Sequence, residues 1–318
     1  MEKKTLSILC ATDDNYAPYC GVMLTSFLEN HKTFHTEVYI IVKNRLNEEA
    51  RLKSLEASYN VRIHPVVFTF GEIFEQYQSD NRWSVEAFYR LLAAKLLPDC
   101  MDKVLYLDCD MIVVGDVSTL FDMNIEGCSA LVCSDVPYEE TDPQRLGYER
   151  CYGYFNAGMV LINLRYWREN KVSDNAIATL KEWKKGWIYC DQDLLNVVLH
   201  DTKRFVGIEY NFILHYLSPK LFGQLDIELK RAVAECKPRI IHYTYPKPWD
   251  IMSYRYPYVE KWDEYRNLSL WKNTERYKMQ KKKFIIDFVK RYILWPLHIE
   301  FHHIRPSKEW QRMKNLAE

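Results

Sequence analysis

Two carboxylates interrupt an apolar segment of this chain. Asp108 and Asp110 lie within Val104–Val114, whose other residues are all apolar. In a buried strand, an ionised carboxylate is strongly unfavourable unless it is paired or bound to a metal. Side chains alternate along a strand, so both carboxylates should point to one side and Cys109 to the other. The pair predicts a site for Mg²⁺ or Mn²⁺; the alternative is one turn cap and one salt bridge.

Polar residues also follow the first predicted strand, in the segment from Ala11 to Tyr16. In an open parallel sheet, ligands bind outside the carboxyl ends of the strands. Asp13 and Asn15 can hydrogen-bond a nucleobase and a ribose there, and Tyr16 can stack on a ring. The alternative is that these polar residues, with Asp14, cap the following helix.

A histidine and a lysine near a later predicted strand can complete such a site. His242 lies within the predicted strand Arg239–Tyr243, and Lys247 follows it. An imidazole can be a third Mn²⁺ ligand, and a lysine can bind a phosphate oxygen. The alternative is a hydrogen-bonded structural histidine. His298 and His302 are one helical turn apart but lack the glutamate of His-Glu-x-x-His, so they do not predict zinc.

The common nucleotide-binding motifs are absent from the sequence. There is no Gly-x-Gly-x-x-Gly, and the Walker-like spacing of Gly153 and Gly158 is followed by Met159 and Val160 instead of Lys and Ser or Thr. These absences disfavour a P-loop or an ordinary dinucleotide site. The phosphates of a bound nucleotide would therefore be neutralised mainly by a metal and by cationic side chains.

Strand-type and helix-type segments alternate in the first half of the chain. This order predicts an α/β fold with a doubly wound, mainly parallel sheet. The polar loop Asp135–Tyr152 is expected to cover a site at its edge. The predicted strands are Leu6–Ala11, Glu37–Val42, Val61–Val67, Val104–Val114, Ser129–Cys133, Ala157–Leu164 and Arg239–Tyr243. The predicted helices are Ala17–Asn30, Asn47–Tyr59 with Asn47 as N-cap, Ser84–Leu97 and Asp191–His200.

The composition limits the classes of partner and compartment. Lys plus Arg and Asp plus Glu each number 43, so no nucleic-acid partner is expected. The nine cysteines include no Cys-x-x-Cys pair, which favours free thiols in a reducing compartment. No signal peptide and no run of about 18 apolar residues is present, so we expect a cytoplasmic protein without a spanning helix.

The C-terminal residues differ in composition from the rest of the chain. Residues 271–318 carry 12 Lys and Arg against 5 Asp and Glu, which divides the chain into an acidic body, 1–270, and a basic tail. Apolar residues recur at helical spacing from Ile285 to Ile293, with Lys283, Lys290 and Arg291 on the other side. This amphipathic tail favours an anionic membrane surface; the alternative is a helix docked on the body.

Together these motifs resemble the retaining family 8 glycosyltransferases, over about residues 5–250. The resemblance is carried by several segments in the family's order. Lys103–Asp110 is similar to the metal-binding Asp-x-Asp strand, and Asp13–Tyr16 to the uridine-binding turn. The other matching segments are Tyr89–Leu91, Phe155–Gly158 with Ile162–Leu164, Asp191–Asp193 and His242–Trp249.

The resemblance implies a single Rossmann-like, glycosyltransferase A-type fold followed by the basic tail. It implies transfer of glucose or galactose from a UDP-sugar, with retention and with Mn²⁺ or Mg²⁺. The acceptor would be a saccharide or lipid-linked saccharide of lipopolysaccharide or another surface glycan, at the inner face of the cytoplasmic membrane. Alternatives are a metal-dependent nucleotide-sugar hydrolase and a non-catalytic protein that binds UDP-sugar or membrane.

The family's functional positions map onto this chain by the same segments. Gln192, a neutral amide, is a poor nucleophile, which favours attack on the leaving-group face with Gln192 positioning or stabilising. Tyr245 stands near a position where the family usually has glycine, in a segment one residue shorter, which puts that glycine's phosphate contact in doubt. The implied residues are Asp108, Asp110 and His242 for the metal; Ala11, Asp13, Asn15, Tyr16, Arg90 and Lys247 for the donor; and Asp135, Asn156, Asp191, Gln192 and Asp193 for catalysis.

Overall fold

A computed structural model describes residues 4–68, 85–182, 188–250, 253, 256–274, 285, 289 and 307–317. The strands are β1 (Thr5–Ala11), β2 (His35–Val42), β3 (Val61–Val67), β4 (Lys103–Leu107), β5 (Met111–Val113), β6 (Ala130–Ser134), β7 (Phe155–Asn163), β8 (Lys203–Phe205), β9 (Phe212–Ile213) and β10 (Ile240–His242). The α-helices are α1 (Ala17–Asn30), α2 (Glu49–Lys53), α3 (Ala93–Leu96), α4 (Leu164–Glu169), α5 (Val172–Glu182), α6 (Cys190–Leu199), α7 (Pro219–Gln224), α8 (Ile227–Glu235), α9 (Val259–Leu268) and α10 (Lys308–Ala317).

The central sheet has seven strands in the order β3-β2-β1-β4-β7-β6-β8. Strands β3, β2, β1 and β4 are parallel, while β7 is antiparallel to both β4 and β6. This arrangement confirms the predicted α/β class and the mainly parallel sheet. The chain runs outward from β1 to β3 and then returns to the other side of β1 as β4. The crevice beyond the carboxyl ends of β1 and β4 is therefore where a ligand is expected.

The predicted strand Val104–Val114 is two strands that belong to two different sheets. β4 ends at Leu107, which pairs with Met159 of β7. β5 begins at Met111, which pairs with His242 in a second sheet of order β5-β10-β9. Asp108, Cys109 and Asp110 form the turn between these sheets. Strand alternation is therefore not what brings the two carboxylates together, and the prediction of one continuous strand was wrong.

Apolar side chains on the two faces of the central sheet form two buried clusters. Leu6 and Ile8 of β1 pack in the cluster that includes α1 and the second sheet, whereas Leu9 packs in the other. The second cluster includes Trp167 of α4 and the buried face of α6. Burial on both faces explains why the central strands are almost continuously apolar in sequence.

Two predicted helices differ from those observed. The segment Ser84–Leu97 forms a 3₁₀ helix, Val85–Leu92, followed by α3, and Ser84 lies outside the described residues. Asn47 does not cap α2, because its backbone N–H and side-chain amide both donate to Asp14, at 2.7 and 2.9 Å. Glu48 occupies the N-cap position of α2 instead. Further 3₁₀ segments are Ser54–Ala57, Ser118–Asp122, Glu139–Thr141, Pro143–Leu146, Arg150–Tyr152, Ile208–Tyr210 and Leu214–Leu217.

Parts of the basic tail pack against the body. Trp271 is buried, and its indole N–H donates to Glu48 at 2.9 Å. Trp310 of α10 is also buried, and Glu309 pairs with Lys230 of α8 at 3.0 Å. The amphipathic segment predicted over residues 285–293 lies outside the described residues except for positions 285 and 289. Within the described ranges, every helix is too short or too polar to cross a bilayer.

Candidate active site

A cavity of about 610 Å³ opens beyond the carboxyl ends of β1 and β4. It collects side chains from segments that are far apart in sequence, as expected at the point where the strand order reverses. Twelve of the fourteen residues assigned from the sequence line it: Ala11, Asp13, Tyr16, Arg90, Asp108, Asp110, Asp135, Asn156, Asp191, Gln192, His242 and Lys247. Asn15 and Asp193 do not.

Asp108, Asp110 and His242 form a cluster that could hold a metal ion. Each offers one ligand atom, and these atoms all lie within 4.8 Å of one another. The His242 Nε2 is 3.3 Å from the Asp110 Oδ1. Two carboxylates and an imidazole are a donor set that Mn²⁺ accepts. The residues present therefore fit a divalent cation.

Lys247 supplies a positive charge to the same cluster. Its Nζ donates to the Asp110 Oδ2. Burial alone would raise the pKa of Asp110, but Lys247 and His242 hold that pKa well below its usual range. The neighbouring Trp249 stacks on Tyr19 of α1 with ring centroids 3.6 Å apart, which anchors the segment that carries Lys247. The shortened segment thus still delivers its lysine to the cavity, and Tyr245 stands exposed at the lining.

Arg90, on the 3₁₀ helix Val85–Leu92, fixes the orientation of Asp108. Its Nη2 donates to the Asp108 Oδ1 at 2.9 Å, and its Nη1 donates to the carbonyl of Ala157. The guanidinium lies over the ring of Tyr106, whose hydroxyl also donates to the Asp108 Oδ1, at 2.8 Å. A buried cation thereby balances the carboxylates around it.

Asp191 presents a buried carboxylate oxygen without a hydrogen-bond donor among the described residues. Its Oδ2 is 3.0 Å from the Arg90 Nε, but the Nε–H group donates to the carbonyl of Ala87 at 2.9 Å. Burial raises the pKa of Asp191 to about 7, with Arg90 opposing the shift and Asp108 adding to it. This oxygen is shielded from solvent, so its charge is balanced mainly by the adjacent Arg90 guanidinium.

The side-chain amide of Gln192 is held at both of its ends. Its Oε1 accepts from the N–H of Ala157 at 3.0 Å. Its Nε2 donates to the Asp135 Oδ2 at 2.8 Å and to the Tyr154 hydroxyl at 3.1 Å. Asn156 also donates to the Asp135 Oδ2, at 3.3 Å. Gln192 is therefore a rigid, neutral group in the cavity wall.

Asp193 lies outside the lining of the cavity. This carboxylate is fully buried and accepts from both terminal nitrogens of Arg145, at 3.0 and 2.6 Å, and from the Tyr154 hydroxyl at 2.6 Å. The backbone N–H groups of Ile188 and Tyr189 donate to it as well. Through these contacts Asp193 holds the start of α6 in place, and its role in catalysis stays a prediction.

The turn after β1 is held by hydrogen bonds to Asp13 and also lines the cavity. The Asp13 Oδ1 accepts from the N–H of Tyr16 at 2.8 Å, and its Oδ2 accepts from the exposed side chain of Asn15 at 3.1 Å. These bonds order the turn before α1, whose N-cap is Tyr16 and has no side-chain cap bond, and Asp13 also lines the cavity. Tyr16 lies edge-on to Trp249, with ring centroids 5.7 Å apart. Tyr16 also lines the cavity, and its stacking on a nucleobase stays a prediction.

One buried residue of the site was not found from the sequence. Asn211 is fully buried and accepts from or donates to two site residues, His242 and Asn156. A signal for it was present, because Asn211 is a single polar residue before the apolar run Phe212–Leu214. Like Asp108, Asn211 is a polar group beside an apolar run, and such a group needs a partner when it is buried.

Comparison with known proteins places the chain in a family. The family model described as glycosyl transferase family 8 matches residues 7–252. The chain belongs to that family. As a member of glycosyl transferase family 8 it is a glycosyltransferase, and the resemblance inferred from its motifs is confirmed.

Lipopolysaccharide enzymes are among the similar family members. A lipopolysaccharide 1,2-glucosyltransferase of Escherichia coli K12 is 29% identical over 94% of this chain and 87% of its own length. A lipopolysaccharide 1,3-galactosyltransferase of Salmonella typhimurium is 30% identical over 76% of this chain and 72% of its own. The solved galactosyltransferase LgtC, in complex with donor and acceptor sugar analogues, matches with a TM-score of 0.72 at 25% identity, covering 83% of this chain and 96% of that one. The glycosyltransferase A-type fold is thereby confirmed.

Proposed function

We propose that this glycosyltransferase moves glucose or galactose from a UDP-hexose to a saccharide acceptor, with retention and with Mn²⁺ as the preferred cation. The observation that carries the proposal is the meeting of Asp108, Asp110 and His242 with Lys247 in one cavity. This cavity lies where an open α/β sheet binds nucleotides. The sugar specificities of the named relatives support a hexose donor.

The cationic groups of the cavity suit a nucleoside diphosphate leaving group. Asp108, Asp110 and His242 would hold the cation, which when bound supplies Lewis-acid neutralisation of the diphosphate. Lys247 can bind a phosphate oxygen from the β10 side of the cavity. Arg90 keeps Asp108 oriented and neutralises the buried acidic cluster. Charge on the departing diphosphate is thereby stabilised by groups that are already in position.

The polar groups opposite the metal cluster suit the donor sugar. Asp191 lines the cavity beside Gln192, and its carboxyl group is proposed to hydrogen-bond a hydroxyl of the donor sugar. Asp135 and Asn156 line the same wall. Gln192 is neutral and held by three hydrogen bonds, which supports same-face attack of the acceptor with Gln192 positioning the sugar. An oxocarbenium-like centre is expected, as at other glycosidic bonds.

The acceptor is proposed to be a saccharide or lipid-linked saccharide of lipopolysaccharide or another surface glycan. The named relatives support this class of acceptor. The basic residues 271–318 support an anionic membrane surface, at the inner face of the cytoplasmic membrane, as the place where the enzyme meets it.

The test is a donor screen with the purified chain, Mn²⁺ and UDP-glucose or UDP-galactose, measured as UDP release with and without a lipopolysaccharide acceptor. We expect Asp110→Asn to reduce turnover by more than about 1000-fold, because removal of a metal ligand leaves the leaving group's charge unbalanced. The matched control is Asp122→Asn, which also removes a carboxylate paired with a lysine, Lys4, but far from the cavity.

The outcomes separate the proposal from its rivals. Transfer to the acceptor supports it, and UDP release with only free sugar under every acceptor would identify a hydrolase. No binding and no turnover with any nucleotide sugar would refute the proposed function. Loss of folding in Asp110→Asn, seen by circular dichroism, would assign that carboxylate a structural role.

A further inference from the structure

A continuous chain of polar side chains links the metal cluster to Gln192. It runs from His242 through Asn211, Asn156 and Asp135, and each neighbouring pair is within hydrogen-bond distance. Asn211 is fully buried and Asn156 nearly so. Polar groups this deep keep one arrangement, because any alternative leaves a donor or acceptor unpaired.

Two backbone amides of β7 decide the direction of every bond in this chain. The N–H of Gly158 donates to the Asn156 side chain at 3.0 Å, so the atom that receives it is the carbonyl oxygen. The same oxygen lies 2.9 Å from the Asn211 side chain, which must therefore present its NH₂ group. At the other end of the chain, the N–H of Ala157 donates to the Gln192 Oε1, so that the NH₂ group of Gln192 faces Asp135. A backbone N–H cannot reverse its role, so the orientation is fixed.

The orientation of Asn211 has a consequence for His242. With its NH₂ group turned to Asn156, Asn211 presents its carbonyl oxygen to the His242 Nδ1 at 3.0 Å. Two acceptors cannot share this contact, so the Nδ1 carries a proton and donates it. The lone pair of a neutral ring is then on Nε2, the atom that is 3.3 Å from the Asp110 Oδ1. Because this lone pair and the carboxylate oxygen are both acceptors, a cation shared between them would suit their proximity.

We propose that Asn211 is the positioning residue that sets the tautomer of His242 for metal binding. It also couples that ligand to Asn156, in the part of the cavity proposed to hold the donor sugar. The inference rests on the proposed metal-dependent function. Partners of this kind, on the far nitrogen of a ligating histidine, fix the ring and raise its affinity for the metal. Asn211 acts through His242 and Asn156 and need not contact the substrate itself.

Two variants of Asn211 separate its two bonds. Asn211→Leu has nearly the same size but forms neither bond, so we expect Mn²⁺ affinity to fall about 10- to 100-fold. Asn211→Asp keeps an acceptor for the Nδ1–H and loses the donor to Asn156. We expect this variant to bind Mn²⁺ within about threefold of the wild type but to lose turnover of the UDP-hexose. Asn163→Leu removes another buried amide, the N-cap of α4, and is the matched control.

The experiment measures Mn²⁺ binding to the full chain, without nucleotide, by electron paramagnetic resonance of the free ion. Thermal unfolding of each variant serves as the folding control. Wild-type Mn²⁺ affinity in a folded Asn211→Leu overturns the inference while leaving the proposed function intact. Failure of the wild type to bind Mn²⁺ refutes the metal-dependent function and the inference together. If Asn211→Leu does not fold, wild-type turnover in Asn211→Asp overturns the coupling.

A second readout reports the tautomer directly. In protein labelled with ¹⁵N-histidine, long-range ¹H–¹⁵N spectra distinguish the protonated ring nitrogen from the unprotonated one. We expect His242 to show a protonated Nδ1 in the wild type and a mixture of tautomers in Asn211→Leu, while Asn163→Leu matches the wild type. A protonated Nε2 in the neutral wild-type ring would overturn the inference.

Discussion

Lys247 and a divalent cation use the same carboxylate. The Lys247 Nζ bonds to the Asp110 Oδ2, and a cation held by Asp110 draws on the same charge. This contact joins the lysine proposed to bind phosphate to a proposed metal ligand. A cation at Asp110 would therefore compete with Lys247 for the carboxylate and would leave the lysine available to a diphosphate.

Replacement of Lys247 by Met should separate these two roles. Without the lysine, Asp110 loses its closest cationic partner and keeps only His242, so we expect Mn²⁺ alone to bind more tightly. UDP binding in the presence of saturating Mn²⁺ should weaken by about tenfold or more, through loss of a charge-assisted bond. Isothermal titration calorimetry measures both affinities, and Lys4→Met is the control. Weaker binding of Mn²⁺ alone to Lys247→Met would contradict the competition.

The raised pKa of Asp191 predicts a pH-dependent stability. Its folded-state pKa of about 7 exceeds the ordinary value near 4, so the folded chain holds this proton more tightly than the unfolded chain does. The stability that the proton confers is present at low pH and is lost as pH rises from about 4 to 7. Asp191→Asn stays neutral, so its advantage in unfolding temperature over the wild type should grow across this range and level off above it.

Thermal unfolding between pH 4 and pH 8, without added metal or nucleotide, measures this difference. The exposed ion-pair residue Asp174, replaced by Asn, is the control and should show no such trend. A variant at Asp191 that is less stable than the wild type at pH 8 would mean that the attraction of Arg90 outweighs the cost of burial.

At the scale of single residues, the sequence predicted which side chains meet but not what each one contacts. Asp108, Asp110 and His242 could be found because charged or polar groups in apolar strands need a partner. Asp193 could not be separated from Asp191 in this way. Both carboxylates start the same helix, and only the packing of Arg145 shows that Asp193 faces away from the cavity.

At the scale of elements, β7 packs directly against the proposed metal ligand His242. Gly158 of this strand lies against His242, so that a Cβ atom there would be 2.4 Å from the ring Cε1. The same atom would be 2.9 Å from the Met111 Cε. Only a residue without a side chain leaves His242 and β5 in their observed places.

Gly158→Ala should therefore weaken metal binding without removing any ligand. We expect Mn²⁺ affinity to fall at least tenfold, because the His242 ring must move away from Asp110. Gly223→Ala, in α7, adds a methyl group where no atom lies within 4 Å, and should leave the affinity unchanged. Electron paramagnetic resonance of Mn²⁺ tests both variants. Equal affinity in the wild type and Gly158→Ala would show that the ring tolerates displacement.

The boundary between β4 and β5 could not be predicted from the sequence pattern. Residues 104–107 and 111–114 are all apolar, so nothing in the pattern separates a strand of the central sheet from one of the second sheet. The separation is set by partners that are distant in sequence, Met159 for Leu107 and His242 for Met111. The parallel core from β1 to β4 was predictable because its strands alternate with helices along the chain.

At the scale of the whole molecule, the basic tail is not a detachable segment. Trp271 fills the space beside Gly21 of α1, and Trp310 of α10 is buried against the body. Because Trp310 lies within residues 281–318, their removal would lower stability as well as charge. The membrane role proposed for the tail needs a test that changes charge alone.

Substitution of Lys281, Lys282 and Lys283 by Gln provides that test. Each basic residue near an anionic surface contributes about 1 kcal/mol, so loss of three should weaken binding to phosphatidylglycerol vesicles by about 100-fold. Thermal unfolding of the variant serves as the folding control. A control with Lys32, Lys53 and Lys171 replaced by Gln removes the same charge from the body. Unchanged co-sedimentation of the tail variant with vesicles would exclude the membrane role of these lysines.

The turn Asp108–Asp110 has a consequence for how the molecule is held together. β4 belongs to one sheet, while β5 and β10 belong to the other. A cation bound by Asp108, Asp110 and His242 therefore acts as a cross-link between the two sheets and closes a loop of chain from residue 108 to residue 242. Because such a bond exists only in the folded chain, its free energy of binding adds to the free energy of unfolding. The site proposed to stabilise the leaving group would then also stabilise the fold.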